Sequence, residues 1–135
     1  MRLPLRKANH DFHTLLNPKS MSSSLPIINK SYELYKHFSE VNDHMTKRWR
    51  LTLGKSTELS ILSLLEQLVM AKNAPKTMKA ACLLKSSGTL EVLTLKLRLM
   101  LELKLINETR VFQMQSQAQE VGRMLGGWLK SVQSM

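Results

Sequence analysis

Apolar residues recur along most of the chain at the three- and four-residue spacings of amphipathic α-helices. Residues 25–45 place five apolar side chains on one face: Ile27, Leu34, Phe38, Val41 and Met45. Residues 46–76 contain a second set that falls close to one face, Leu51, Ile61, Leu65 and Leu68, with Leu64 alongside. Pro26 suits the first turn of the first helix, while Asn73 and Pro75 predict the end of the second.

A third apolar segment, residues 76–105, carries two stripes rather than one. The first stripe is Leu90, Leu93, Leu97 and Met100. The second is Val92, Leu95, Leu99, Leu103 and Ile106. Two stripes predict a helix that is buried on two sides. Since a small four-helix monomer seldom hides that much apolar surface, we expect part of it to meet another subunit.

A fourth helix is predicted to begin after Asn107, whose side chain suits an N-cap, with Glu108 in the first turn. Its apolar positions alternate three and four residues apart: Val111, Met114, Ala118, Val121, Leu125, Trp128 and Val132. This alternation is typical of bundle helices that pack like a coiled coil. The pattern as a whole predicts an all-α protein, an up-down four-helix bundle.

Three glycines, Gly122, Gly126 and Gly127, lie in this fourth helix beside Trp128. Each glycine in a helix interior costs about 1 kcal/mol relative to alanine, so three are a large share of a domain's ~5–15 kcal/mol stability. We therefore expect them to permit close packing, either within the bundle or against a neighbouring subunit. A frayed C-terminal helix is the alternative, but Trp128 and Leu129 continue the apolar pattern.

Composition adds a strong charge imbalance, because 20 Lys and Arg against 10 Asp and Glu give a net charge of +10. Such an excess favours binding to RNA, DNA or another polyanion, although a merely solvated basic surface is an alternative. Cys82 is the one cysteine, which excludes an internal disulfide and suggests a cytoplasmic protein. No apolar run reaches the roughly 18 residues of a membrane span, so no membrane partner is expected.

The chain divides at a serine-rich break into two parts. Residues 1–24 are basic but lack the apolar core of a signal peptide. We interpret them as a disordered leader or a mis-assigned start, with Met21 as an alternative first residue. Residues 25–135 are interpreted as the four-helix-bundle domain.

Catalytic patterns are lacking in the sequence, so we predict no catalytic residues, no metal and no cofactor. His37, Glu40 and His44 can share a helix face, but no second helix offers matching metal ligands, and no Glu-x-x-His pair occurs. Phosphate-binding glycine loops and nucleophile elbows are also missing. Cys82 is interpreted as a small core residue. A metal-dependent helical enzyme remains the less favoured hypothesis.

The basic residues offer the better candidates for function, as phosphate-contacting groups on three helices. Those predicted to contact nucleic acid or a partner are Lys47, Arg48, Arg50, Lys55, Lys96, Arg98, Arg123 and Lys130. The first four lie near the start of the second helix, where cations oppose the helix dipole and therefore suggest an anionic ligand. For Arg98, an ion pair with Glu102 is an equal alternative. Trp49 can stack on a base or pack in the interior.

Three stretches in this order, RWRLTLGKSTELSILSLLEQLVMA, SGTLEVLTLKLRLMLELKLI and EVGRMLGGWLKS, resemble the accessory variability determinant (Avd) proteins of diversity-generating retroelements. The resemblance spans roughly residues 26–133, and its most specific parts are Leu53-Gly54 and the run from Gly122 to Trp128. Avd proteins belong to a broader group of bacterial four-helix bundles that includes proteins encoded in intervening sequences of 23S rRNA genes.

The resemblance implies a basic homopentameric barrel that binds the retroelement reverse transcriptase and nucleic acid. It also implies a non-enzymatic role in mutagenic homing, in which template RNA is copied into cDNA with errors at adenines. Such a protein would be cytoplasmic and encoded by a bacterium, archaeon or phage. The alternative is a structural or protein-interaction bundle of the rRNA-intervening type, which shares much of the helical pattern.

Overall fold

The computed structural model describes residues 25–134, which form four helices and no strand. Helix α1 is Leu25–Asn42, α3 is Lys76–Glu102 and α4 is Glu108–Gln133. Helix α2 has three consecutive segments, the α-helical Lys47–Trp49, the π-helical Arg50–Gly54 and the α-helical Lys55–Asn73. The interpretation of residues 1–24 as a leader lies outside the described residues.

The four helices pack as a closed ring, in which α1 contacts α2 and α4, and α3 contacts α2 and α4. Because the connections 43–46, 74–75 and 103–107 are short, successive helices run antiparallel. The predicted all-α fold is confirmed for the described residues, and the arrangement is that of an up-down four-helix bundle.

The core lies on the faces that the apolar spacing predicts. All five positions predicted for the first helix are buried, although Met45 lies just after α1. The first stripe of α3 and the predicted α4 positions from Val111 to Leu125 are also buried. Trp128 and Val132 are partly buried and pack against the core. Buried serine hydroxyls donate hydrogen bonds to the backbone carbonyls four residues earlier. Ser31 donates to Ile27 at 2.9 Å, and Ser86 donates to Cys82 at 3.0 Å.

The π-helical turn of α2 alters one predicted face. Leu51 is 54% exposed, whereas Ile61, Leu64 and Leu68 are fully buried. The prediction that Leu51 shares their face is therefore wrong. A π-helix closes its hydrogen bonds over five residues rather than four, so the residues before Lys55 are rotated away from the positions that α-helical spacing gives.

Gly54 ends this π-helical turn and is buried against the last residue of α1. A Cβ at Gly54 would overlap the side-chain oxygen of Asn42 and lie 2.8 Å from its Cγ. The Asn42 amide nitrogen donates to Oε1 of Glu58 at 3.2 Å, which holds the side chain in this position. Gly54 is thus the glycine that close packing within the chain requires.

Helix α3 ends three residues earlier than the predicted residue 105. Lys104 has a φ of 55°, and the N–H groups of Lys104 and Leu105 donate to the carbonyls of Leu101 and Met100 at 3.1 and 3.0 Å. This is a Schellman turn with lysine at the position that usually holds glycine. The next helix begins as predicted, because the side chain of Asn107 accepts from the N–H of Thr109 at 2.8 Å.

Four of the five positions of the second predicted stripe are exposed in the single chain, and the fifth, Ile106, is partly buried against the core. Val92 is 48% exposed, Leu95 57%, Leu99 41% and Leu103 44%. The prediction that α3 is buried on both sides therefore fails for the single chain, because the ring of four helices covers just one side of α3. What remains is a continuous apolar stripe of the kind that a neighbouring protein surface can cover.

Candidate nucleic-acid interface

An open groove of about 830 Å³ runs between α2 and α3. Each helix lines it with residues one turn apart, so the groove follows the helix axes. The lining residues are Leu51, Thr52, Lys55, Ser56, Leu59, Ser60, Ser63, Gln67, Lys85, Gly88, Thr89, Val92 and Lys96. Three lysines and five hydroxyl side chains are among them, and none is a carboxylate.

Lys96 is fixed at the side of this groove by two hydrogen bonds to α2. Its Nζ donates to the hydroxyl of Ser60 at 2.6 Å and to the carbonyl of Ser56 at 3.2 Å. Burial lowers the pKa of the Lys96 ammonium from the ordinary 10.5, because the charged form is partly removed from water. The ammonium is positioned by neutral oxygens rather than by a carboxylate, so its charge is not neutralised within the groove.

The lysines and hydroxyl groups of the groove match the chemistry of a phosphate backbone, while Leu51, Leu59 and Val92, each about half exposed, also give it an apolar wall. Lysine ammonium groups supply attraction at long range, and serine and threonine hydroxyls donate to phosphate oxygens at short range. The small side chains of Ser56, Ser60 and Gly88 leave room between the two helices for a strand to approach. Such contacts determine affinity and position, while they carry little information about base sequence.

The structure brings two of the predicted basic residues, Lys55 and Lys96, into this one groove. Lys47, Arg48 and Arg50 lie on the turn of α2 that precedes Leu51, where the groove begins. The Arg48 guanidinium lies over the ring of Trp49, 4.7 Å from its centroid, and Trp49 is partly buried. The indole therefore packs against its own neighbour in the chain.

The other three predicted basic residues lie away from the groove. Arg98 donates to Glu102 at 3.0 Å, which is the ion-pair alternative, and Arg123 pairs with Glu120. Both pairs are exposed, and such pairs contribute only about 0–1 kcal/mol, so a phosphate can replace the carboxylate. Lys130 lies in the last turn of α4, where a cation also stabilises the helix dipole.

Of the three lysines that line the groove, Lys85 is the one that was not among the predicted site residues. It lies eleven residues before Lys96, which is close to three helical turns and places both on one face of α3. The eleven-residue spacing in the sequence is therefore enough to place Lys85 and Lys96 on the same face of a helix. Without knowing that the same face adjoins Lys55 and the serines of α2, however, nothing distinguished Lys85 from any other exposed lysine.

The glycines of α4 behave differently from the prediction of close packing within the bundle. A Cβ at Gly122 would meet Leu90 at an ordinary 3.4 Å, and a Cβ at Gly126 or Gly127 would meet nothing within 4 Å. Close packing within the chain is therefore wrong for Gly126 and Gly127, which are exposed. Trp128 contacts the core from the same turn. Packing of the two exposed glycines against a neighbouring subunit stays a prediction.

Metal-binding geometry is not found in residues 25–134, where no three His, Cys, Asp or Glu side chains group closely enough. His37, the first of the three candidate metal ligands, instead forms a hydrogen bond through Nδ1 with the side-chain oxygen of Gln117 at 2.7 Å.

Each helix among residues 25–134 is too short or too polar to span a membrane.

A family model described as bAvd-like matches residues 25–132, which is the chain from the first residue of α1 almost to the end of α4. The chain belongs to the bAvd-like family. This confirms the resemblance to Avd proteins that the sequence indicates. No curated protein and no solved structure matches this bAvd-like protein. The Leu53-Gly54 pair and the glycines of α4 both lie inside the matched range, as does the whole lysine-lined groove.

Proposed function

We propose that this bAvd-like protein is a non-enzymatic accessory factor of a diversity-generating retroelement. In this role it acts in the cytoplasm as a basic homopentamer that binds the retroelement reverse transcriptase and its template RNA and cDNA. The polymerase chemistry belongs to the partner enzyme, and the bundle holds nucleic acid near it during adenine-mutagenic copying. Membership of the bAvd-like family supports the accessory role.

The observation that carries the nucleic-acid part of this proposal is the groove between α2 and α3. Its lining combines Lys55, Lys85 and Lys96 with hydroxyl groups and contains no carboxylate. A basic surface that merely keeps a protein soluble does not require lysines of two helices to converge on one groove. The groove therefore favours the retroelement role over a purely structural bundle of the rRNA-intervening type.

The assembly part of the proposal rests on exposed apolar surface. Leu95 and Leu99 on α3, with Leu103 just after it, form a stripe that is exposed in the single chain and does not line the groove. Burying such side chains gains about 25 cal/mol per Å² of apolar surface, which favours association with a second copy. Self-association into a ring would cover this stripe on every subunit, and Gly126 and Gly127 offer a surface that a neighbour can approach closely.

The direct test is co-expression with the reverse transcriptase of the same retroelement, followed by purification on a tag carried by the enzyme. We expect the two proteins to co-purify and template-primed cDNA synthesis to depend on this protein. The double charge reversal Lys55→Glu and Lys85→Glu should reduce the cDNA yield. The matched control Lys30→Glu and Lys76→Glu, which changes net charge equally outside the groove, should reduce it much less.

Two results would contradict the proposal. One is a reverse transcriptase that purifies without this protein and makes the same cDNA alone. The other is a loss of cDNA that is equal for the groove pair and for the control pair, since this would show that net charge rather than the groove matters. Circular dichroism and light scattering of each variant would establish that folding and assembly are unchanged.

A further inference from the structure

A second pocket lies between α1 and α4, on the opposite side of the helix ring from the groove. It is open, has a volume of about 580 Å³, and is lined by His37, Thr109, Phe112, Gln113, Ser116 and Gln117. Phe112 is 50% exposed although it sits in a regular helix, so half of its ring surface faces water. All its neighbours in the pocket are polar, and none is a carboxylate.

A short chain of hydrogen bonds fixes the donors and acceptors at the wall of this pocket. Nη1 of Arg110 lies 3.4 Å from Nε2 of His37, and Nδ1 of His37 lies 2.7 Å from Oε1 of Gln117. Because arginine can only donate, an imidazole that accepts from it at Nε2 carries its proton on Nδ1. Oε1 of Gln117 then accepts from His37, which leaves its amide N–H groups as the donors toward the pocket.

The surroundings of Phe112 distinguish this pocket from a protein-docking surface. Protein interfaces have a contiguous apolar centre, which this molecule has along α3 but not here. A single aromatic face among amides and hydroxyls suits a ligand that is flat and polar at its edge. An unstacked nucleobase has this shape and chemistry. The guanidinium of Arg110, 3.4 Å from His37, lines the adjacent pocket together with Glu40 and supplies a cation beside the stacking site for the adjoining phosphate.

We propose that the pocket between α1 and α4 binds an unpaired base of a single-stranded nucleic acid, with the base stacked on Phe112. The amides of Gln113 and Gln117 contact the edge of that base, and Arg110 contacts the phosphate beside it. This inference rests on the proposed nucleic-acid role and adds a contact to the base, where the groove offers contacts to the backbone. It makes the protein favour single strands over duplexes, because a paired base cannot enter the pocket.

The test is fluorescence anisotropy with a fluorescein-labelled 20-nucleotide single-stranded RNA, the same strand with abasic sites, and a duplex. Phe112→Ala should weaken binding to the normal strand by roughly fivefold or more, as expected for the loss of one stacked base. Phe112→Tyr keeps the ring and should bind as the unaltered protein does. Leu84→Ala, which truncates a residue 54% exposed on α3, is the matched control and should have no effect.

Salt dependence separates this contact from the groove. Stacking releases no counterions, so Phe112→Ala should lower affinity equally at all salt concentrations, whereas removal of a groove lysine should reduce the salt slope. On the abasic strand the unaltered protein should bind more weakly, and Phe112→Ala should cause no further loss.

Four outcomes would overturn the stacking site. The first is that Phe112→Ala binds RNA as tightly as the unaltered protein, which refutes stacking while the proposed function stands. The second is that Phe112→Ala weakens binding to the abasic strand as much as to the normal strand, and the third is that it changes the mass of the assembly measured by light scattering. Either of these two results assigns Phe112 to a protein contact. If the unaltered protein binds no RNA at all, both the nucleic-acid role and the stacking site fail.

Discussion

Alanine at Gly54 should destabilise this protein, although alanine usually stabilises a helix. The new Cβ would overlap the side-chain oxygen of Asn42, lie 2.8 Å from its Cγ and lie 3.1 Å from the carbonyl oxygen of Trp49. Asn42 is only 4% exposed, so its side chain cannot simply turn into solvent. To make room, Asn42 must move and lose its 3.2 Å hydrogen bond to Glu58.

The size of the effect follows from three contributions. Overpacking of a tight site costs about 1–3 kcal/mol, and loss of the Asn42 hydrogen bond costs about 1–2 kcal/mol. The higher helix propensity of alanine returns about 1 kcal/mol. We therefore expect Gly54→Ala to lower the free energy of unfolding by about 1–4 kcal/mol, out of the ~5–15 kcal/mol that is usual for a domain.

Urea unfolding followed by circular dichroism at 222 nm is the assay, at one fixed protein concentration because assembly also contributes to stability. Gly88→Ala is the control, since a Cβ at this position inside α3 meets nothing within 4 Å, and it should stabilise the protein by up to about 1 kcal/mol. In an Asn42→Ala background the overlap with Asn42 is gone and the 3.1 Å approach to the Trp49 carbonyl is what is left, so Gly54→Ala should cost much less than it does in the parent protein. A Gly54→Ala protein that is more stable than the parent would refute the reasoning.

Four further changes test other parts of the structure. Lys104→Gly should raise the free energy of unfolding by about 1 kcal/mol in urea, because φ is 55° there, and a loss of stability would contradict the Schellman turn. Asn107→Ala should lower it by about 1 kcal/mol through loss of the cap on Thr109, and an unchanged midpoint would count against the cap. Leu95→Glu should reduce the assembly mass in light scattering while helix content is unchanged, since Leu95 is 57% exposed, and an unaltered mass would remove the α3 stripe from the interface. Burial lowers the pKa of the Lys96 ammonium, and the charged form is the one that binds phosphate, so RNA affinity should fall as pH rises through that lowered pKa. Lys96→Arg, whose guanidinium stays charged, should lose less affinity than the unaltered protein over the same pH range, and identical pH profiles would contradict the groove assignment.

Regular helices are the part of the fold that the sequence predicts well. The predicted apolar positions of α1 from Ile27 to Val41 and of α4 from Val111 to Leu125 are buried as their spacing indicates, because one apolar face per helix leaves little choice of orientation. Departures from regular winding were missed. Neither the π-helical turn before Lys55 nor the left-handed Lys104 has a local signal as strong as a proline or a capping residue.

The candidate site was only partly predictable for a related reason. Charge and spacing pointed to Lys55 and Lys96, but a groove belongs to two helices, and a single sequence does not say which faces adjoin. Lys85 and the serines of α2 therefore became recognisable only from the packing of α2 against α3. The same limit applies to Gly126 and Gly127, whose presence in the helix is explained by nothing within 4 Å in their own chain.

The salt dependence of RNA binding tests the central claim most directly. The logarithm of the affinity of the unaltered protein for single-stranded RNA should fall linearly with the logarithm of salt concentration, with a slope of about −0.7 for each phosphate neutralised. Lys55→Glu with Lys85→Glu should make the slope shallower by roughly 1.4, while Lys30→Glu with Lys76→Glu should leave it nearly unchanged. Binding that does not respond to salt, or an equal change for both pairs, would contradict a lysine-lined groove that holds the nucleic-acid backbone.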